Sequence, residues 1–141
     1  MQYVQEQLNK NLGIQITLEP VTFQIRLQKM TSKDFDIVMA LWGADYMDPM
    51  TFMDLWLTGG GNNHTSWSNK AYDEAVKVAQ LSEDNVVRMD AMAQAEKILM
   101  DEMPVAPLFF RTRNVVIKPN IKGVVTIPLG NNVDFYGAYI E

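Results

Sequence analysis

Residues 35–49 run Phe35-Asp36-Ile37-Val38-Met39-Ala40-Leu41-Trp42-Gly43-Ala44-Asp45-Tyr46-Met47-Asp48-Pro49. From Phe35 to Trp42 the stretch is apolar apart from Asp36, which suits a short strand buried on both faces. Asp48 then stands where a helix N-cap should, with Pro49 at the first helical position. Upstream, Val4, Leu8 and Leu12 share a helix face at four-residue spacing, and Gly13 supplies a left-handed stop. Ile14, Ile16 and Leu18 alternate with polar residues as a half-buried strand closed by Pro20. Phe23, Leu27 and Met30 mark a second helix to about Met30. Helix, strand, helix, strand with short connections predicts an α/β fold, a mixed sheet flanked by helices.

Downstream, Gly59-Gly60-Gly61-Asn62-Asn63 cannot be regular structure. Ser68 or Asn69 caps a helix ending near Leu81, and a longer helix runs from about Asp84 to Met103 before Pro104. Its expected inner stripe is Met89, Met92, Ala93, Glu96, Leu99 and Met103. Val105 to Arg111 and Asn114 to Lys118 read as strands, and the Gly-, Pro- and Asn-rich tail holds at most a short strand at Val124 to Ile127.

The whole chain has 141 residues, enough for one domain burying roughly 68–70% of its unfolded surface. Twelve basic against seventeen acidic side chains leave a net charge of −5, which opposes binding to nucleic acid or anionic lipid. With no cysteine there is no disulfide, thiolate metal site or cysteine nucleophile. No apolar run reaches the roughly 20 residues of a membrane span. The helical pattern begins at Met1 without a capping Ser, Thr, Asp or Asn, which leads us to expect a fragment of something larger.

Trp42, Gly43, Ala44 and Asp45 form the densest cluster, at the carboxyl end of the expected strand, where open α/β sheets bind ligands. Two small residues admit another chain close to the backbone, Trp42 offers an aromatic wall, and Asp45 a carboxylate for an ammonium group. From the residues alone, the reading favoured is a core tryptophan, a turn glycine and a turn-capping aspartate.

From Leu12-Gly13-Ile14, through Phe35-Asp36-Ile37 and Trp42 to Pro49, the chain resembles the oligopeptide- and dipeptide-binding proteins that serve ABC importers. This is the extracytoplasmic solute-binding family of large peptide binders. The resemblance continues through Asn62-Asn63, Trp67-Ser68-Asn69, Tyr72-Asp73, Arg88, Ala95-Glu96 and Met103 to Leu108. No single motif is specific; their order and spacing are.

The resemblance implies a partial lobe of a two-lobed periplasmic-binding-protein-like fold, closing over an extended peptide held by backbone hydrogen bonds. Residues 1–106 would be the C-terminal part of lobe II. Residues 107–141 would be the hinge crossing and a return segment belonging to lobe I. Asp45 becomes the anchor for the peptide's α-ammonium group, Trp42 a pocket wall, and Gly43 and Ala44 candidate strand partners. Asp36 to Leu41 contains no Arg or Lys to clamp the peptide's carboxylate. The clamp then lies at Lys33 or outside this chain, or the C-terminus is left free, the option we favour. The implied partners are a peptide and the membrane subunits of an ABC permease, and the implied location is extracytoplasmic, in the periplasm or lipid-anchored at the outer face of the membrane. No cofactor, metal or catalytic residue is expected. The apolar tail residues Val124, Val125, Ile127, Phe135 and Tyr136 would lack partners and either disorder, repack locally or drive self-association.

Three rivals stand beside this reading. One is the same fold taking a non-peptide solute such as a metal complex, haem or sugar. Another is a small hydrolase using Asp45 and Asp48, and the third an interaction domain that buries its tail in a partner. His64, the single histidine, rules out a two-histidine zinc site and is expected at the surface. Gly59 to Gly61 lack a following Lys-Ser/Thr and do not form a phosphate loop. Asn63-His64-Thr65 fits a glycosylation pattern. Trp67, Tyr72 and Asp73 are expected to dock the loop on the first helix, and the ten methionines to fill core gaps.

Overall fold

A computed structural model describes residues 1–127, 129 and 133–141. The chain divides into two compact units, Met1–Val38 and Met39–Glu141.

In the first unit, α1 (Gln2–Leu12) ends as its sequence requires: Gly13 sits at φ 66° and its N–H returns to Asn9 O and Leu8 O. Only a residue without a Cβ adopts that conformation without strain. No side chain caps its start, and none of its residues is fully buried. The following segment is tied down by Gln5 Nε2, which donates to Ile16 O at 2.7 Å, and by Ile14 N–H on Leu8 O. The second helix, α2 (Phe23–Ser32), is capped by Thr22, whose hydroxyl accepts from Ile25 N–H. Met30 is its buried residue, whereas Phe23 is largely exposed and stacks under the Arg26 guanidinium at 5.1 Å.

The second unit is built on a helical hairpin, α4 (Lys70–Leu81) against α5 (Asn85–Glu102), with the short α3 (Met50–Met53) and a 3-10 turn Asp54–Trp56 packed on it. The Asn69 cap agrees with the sequence, its Oδ1 accepting from Tyr72 N–H, and at the start of α5 Asp84 accepts from Val86 and Val87 N–H. The core comprises Met50, Tyr72, Val76, Ala79, Ala91, Met92, Ala95 and Leu99. The expected α5 stripe is therefore rotated. Met92 and Leu99 are buried, but Met89, Ala93, Glu96 and Met103 face outwards, and Ala91 and Ala95 take the inner positions. The reason is steric: small residues at 79, 91 and 95 let the two helix backbones approach, so alanine rather than methionine marks the contact face.

Trp67, Tyr72 and Asp73 do dock the loop, and their partners lie within this unit. The Trp67 and Tyr72 rings meet edge-on at 4.9 Å, Tyr72 donates to Met53 O at 2.5 Å, and Asp73 accepts from Thr58 N–H. Glu102, at the end of α5, accepts from Trp67 Nε1 and Asn69 Nδ2, each at 2.6 Å.

The strands differ most from expectation. None of Ile14–Leu18, Phe35–Trp42, Val105–Arg111 and Asn114–Lys118 joins a ladder among the described residues. Ile37 and Leu41 are largely exposed, so the stretch from Phe35 is not a strand buried on both faces. Such a strand exists only when neighbouring strands satisfy its backbone and helices cover it, and no described strand pairs with this one. The ladders present are antiparallel pairs in the tail. Here β1 (Ile121–Lys122) pairs with β4 (Tyr139–Ile140), and β2 (Val125–Thr126) with β3 (Val133–Asp134). Gly123 at φ 72° makes this nesting tight, since a Cβ there would lie 2.0 Å from Gly137 O. The described tail residues thus pair with one another while Phe135 and Tyr136 stay exposed. Among the described residues no helix is long and apolar enough to cross a membrane.

Candidate functional site

The segment entering α3 carries every expected site residue. Trp42 is 43% exposed, Gly43 and Asp45 are exposed, and Ala44 is half-buried. Trp42 is thus not a core residue. Nothing lies within 4 Å of where a Gly43 Cβ would stand, so open space flanks the backbone there. Asp45 does not cap the turn with its side chain. Its backbone N–H donates to Thr51 Oγ1 at 3.1 Å, and among the described residues its carboxylate has no hydrogen-bond partner.

Asp48, three residues on, is in the opposite condition. Its Oδ1 accepts from Met50 N–H at 2.9 Å, its backbone oxygen accepts from Thr51 N–H, and Pro49 follows with helical dihedrals. This is the Asp-Pro helix start read from the sequence. Arg88, from the first turn of α5, adds a charge clamp: its Nη2 lies 3.0 Å from Oδ1 and 2.9 Å from Oδ2. The Met50 N–H and then the Arg88 guanidinium hold the Asp48 carboxyl below its ordinary range. Tyr46, between the two aspartates, has its phenol pushed up by desolvation and then by the charges of Asp54, Asp48 and Asp45. A carboxyl acting as general acid near neutrality needs its pKa raised. Asp48 is displaced the other way, and its oxygens are committed to Arg88 and the helix start.

The remaining candidates separate clearly. Lys33 forms the left-handed C-cap of α2. His64 is half-buried, with its backbone N–H on Asn62 O. Asn63, read only as a glycosylation pattern, is 7% exposed, with its Nδ2 shared among Trp56 O, Leu57 O and Trp67 O. A nitrogen so engaged is not open to a sugar; Asn63 is the internal tie of the loop. Among the described residues no group of three His, Cys, Asp or Glu is placed to hold a metal ion. Sequence reasoning missed the structural parts of Thr51 and Arg88. Thr51 is 2% exposed yet polar, and Arg88 finds its partner 40 positions away, a separation no local pattern encodes.

Comparison with known proteins gives a consistent result. The model of bacterial extracellular solute-binding proteins, family 5, matches residues 1–64 through its middle portion. The oligopeptide-binding protein OppA of Bacillus subtilis is 36% identical over 141 residues, covering 99% of this chain and 26% of its own. The substrate-binding domain of an oligopeptide ABC transporter from Bacillus anthracis superposes with a TM-score of 0.86 at 31% identity, over 99% of this chain and 28% of that one. Listeria monocytogenes OppA bound to peptide gives 0.82 at 38% identity, over 99% and 26%. The chain spans about a quarter of the length of the curated relatives it matches. A partial α/β lobe of periplasmic-binding-protein type, matched along nearly its whole length in both sequence and backbone, belongs to the family 5 bacterial extracellular solute-binding proteins.

Proposed function

We propose that this chain is part of the solute-binding component of an ABC importer, a receptor that captures peptides by hinge closure and passes them to a membrane permease. The observation that carries the proposal is the similarity, over 99% of the chain, to oligopeptide-binding proteins, one of them solved with a peptide bound. The family is one of solute-binding proteins, and the receptor's role is binding without turnover. It works outside the cytoplasm, in the periplasm or lipid-anchored at the outer face of the cell membrane.

Within that receptor, residues 1–106 belong to the second lobe, and residues 107–141 form the crossing and the return segment of the first. Asp45 receives the peptide's α-ammonium group, Trp42 forms a wall of the pocket, and the Gly43 and Ala44 backbone pairs with the peptide as an added strand. The geometry supports this assignment in two ways. The Asp45 carboxylate has no hydrogen bond to surrender, and the space beside Gly43 is open. A carboxylate enclosed in a closing cleft attracts a cation far more strongly than one in bulk water.

Calorimetry on the full-length receptor with a short peptide and its N-acetylated counterpart tests the reading. Removing the ammonium charge should weaken binding about 30-fold or more. Asp45→Asn should abolish that difference. Equal affinity for the two peptides in the wild type would refute the Asp45 anchor.

A further inference from the structure

We propose that Arg88, on a helix that contributes none of the expected contact residues, is the positioning residue for the Asp45 anchor and thereby sets the receptor's preference for free amino termini. The proposal rests on the reading of Asp45 given above.

Arg88 joins three elements. Its Nε donates to Ala79 O at 3.0 Å, in the last turn of α4, where helix carbonyls lack intrahelical partners. Its own backbone N–H bonds Asp84 O within the first turn of α5. Its Nη2 reaches both oxygens of Asp48. From Asp48 the path to the anchor is short. The Asp48 carboxylate holds Met50 N–H, its carbonyl holds Thr51 N–H, and Thr51 Oγ1 accepts the N–H of Asp45. The Asp48 N–H meanwhile bonds Tyr46 O, closing the loop on itself. Every link between the helical hairpin and Asp45 is thus a hydrogen bond of defined direction, and the one side chain between the Asp48 carbonyl and the anchor's backbone is the short, β-branched, buried Thr51.

The fork geometry matters. A guanidinium spanning a carbonyl and a carboxylate fixes the Asp48 orientation as well as its charge, whereas a lysine ammonium supplies the charge on a flexible stem. With side-chain exposures of 23% and 28%, the pair lies partly out of solvent, where such contacts hold better than at the open surface. Arg88 also does a second service. It neutralises Asp48, so within residues 42–48 the carboxylate that remains for a ligand ammonium group is Asp45.

The test is a double-mutant cycle on the full-length receptor, with calorimetry of a free peptide and its N-acetylated form. Arg88→Met should lower the free-to-acetylated affinity ratio about tenfold, leave the acetylated peptide's affinity within about twofold, and have no effect on the ratio in an Asp45→Asn background. Arg88→Lys should recover part of the ratio. Should Arg88→Met fail to fold, Thr51→Val removes the last link while keeping the side chain's volume, and should lower the same ratio. An equal loss for both peptides, or a ratio that still falls when Asp45 is absent, would overturn the positioning role and leave Arg88 a stability residue. If Asp45→Asn leaves the wild-type ratio unchanged, the anchor reading itself has failed, independently of what Arg88 does.

Discussion

Replacing Asn63 should expose how much of the loop between α3 and α4 depends on one buried amide. Its Nδ2 serves the carbonyls of Trp56, Leu57 and Trp67 at 3.2, 3.1 and 2.8 Å, and its Oδ1 accepts from Thr65 Oγ1 at 2.9 Å. Two N–H hydrogens cannot fully satisfy three carbonyls, so the side chain is worth about three net hydrogen bonds, or about 3 kcal/mol at roughly 1 kcal/mol each. Asn63→Ala should therefore lower the midpoint of thermal unfolding by about 10 °C for a chain of this length. The three tryptophans, Trp42, Trp56 and Trp67, all belong to the second unit. Intrinsic fluorescence during urea or thermal unfolding thus reports on that unit alone.

Asn63→Asp is the sharper variant. It is isosteric, but it turns an amide that donates to three carbonyls into a carboxylate that faces them. Burial and the carbonyl dipoles then raise the aspartate's folded-state pKa above its unfolded value. The folded protein binds more protons than the unfolded one between those two values, so stability relative to wild type falls as pH rises through that window. Asn63→Asp should be less stable than Asn63→Ala at neutral pH and should regain ground on acidification, when the protonated acid can donate again. An aspartate variant as stable as wild type at neutral pH, or a gap that does not narrow with acid, would refute this account of the loop.

Two further outcomes follow from the same unit. Asp48 has its pKa held below the ordinary value, so its contribution to stability is present above the unfolded pKa and disappears as pH falls from about 4 through the folded value. The difference in urea midpoint between wild type and Asp48→Asn should accordingly shrink over that range, and a constant difference would count against it. Ala95 is fully buried where α4 meets α5, so Ala95→Leu should overpack the contact and cost about 1–3 kcal/mol in denaturant unfolding. The conventional expectation of a larger, more apolar core would predict a gain.

What could be read from the sequence was what neighbouring residues decide among themselves. Gly13 as a left-handed stop, Asn69 as a cap and the Asp48-Pro49 helix start are contests between a side chain and the backbone within a few positions. They are settled locally. The misread α5 stripe shows the limit. Hydrophobicity picked out Met89 and Met103, but the burial of Ala91 and Ala95 depends on how close α4 comes, a property of two helices at once. The expected strands failed for a related reason. Alternation at Ile14, Ile16 and Leu18 describes a face suited to a sheet, but a ladder is a property of at least two segments. At the candidate site, the residue types of Trp42 to Asp45 were legible and their bracing was not. Thr51 is an unremarkable residue in a short helix, and Arg88 looked like one charge among many on a long one.

The two aspartates of the loop show why bracing changes the chemical reading. From composition alone Asp45 and Asp48 are interchangeable, and a pair of carboxylates three residues apart invites a hydrolytic mechanism. The structure makes them unequal. Asp48 is fixed by a backbone N–H and a two-oxygen contact with Arg88, and its proton affinity is lowered, so it can neither donate a proton near neutrality nor move to activate water without releasing the start of α3. Asp45 is held by its backbone while its carboxylate is left without a hydrogen-bond partner among the described residues. A cation meeting the Asp45 carboxylate would displace no internal hydrogen bond, whereas one meeting Asp48 would compete with Arg88 and the Met50 N–H. A catalytic dyad needs two adjustable groups of different proton affinity. The loop instead sets one committed carboxylate beside one whose hydrogen-bonding capacity is unused among the described residues.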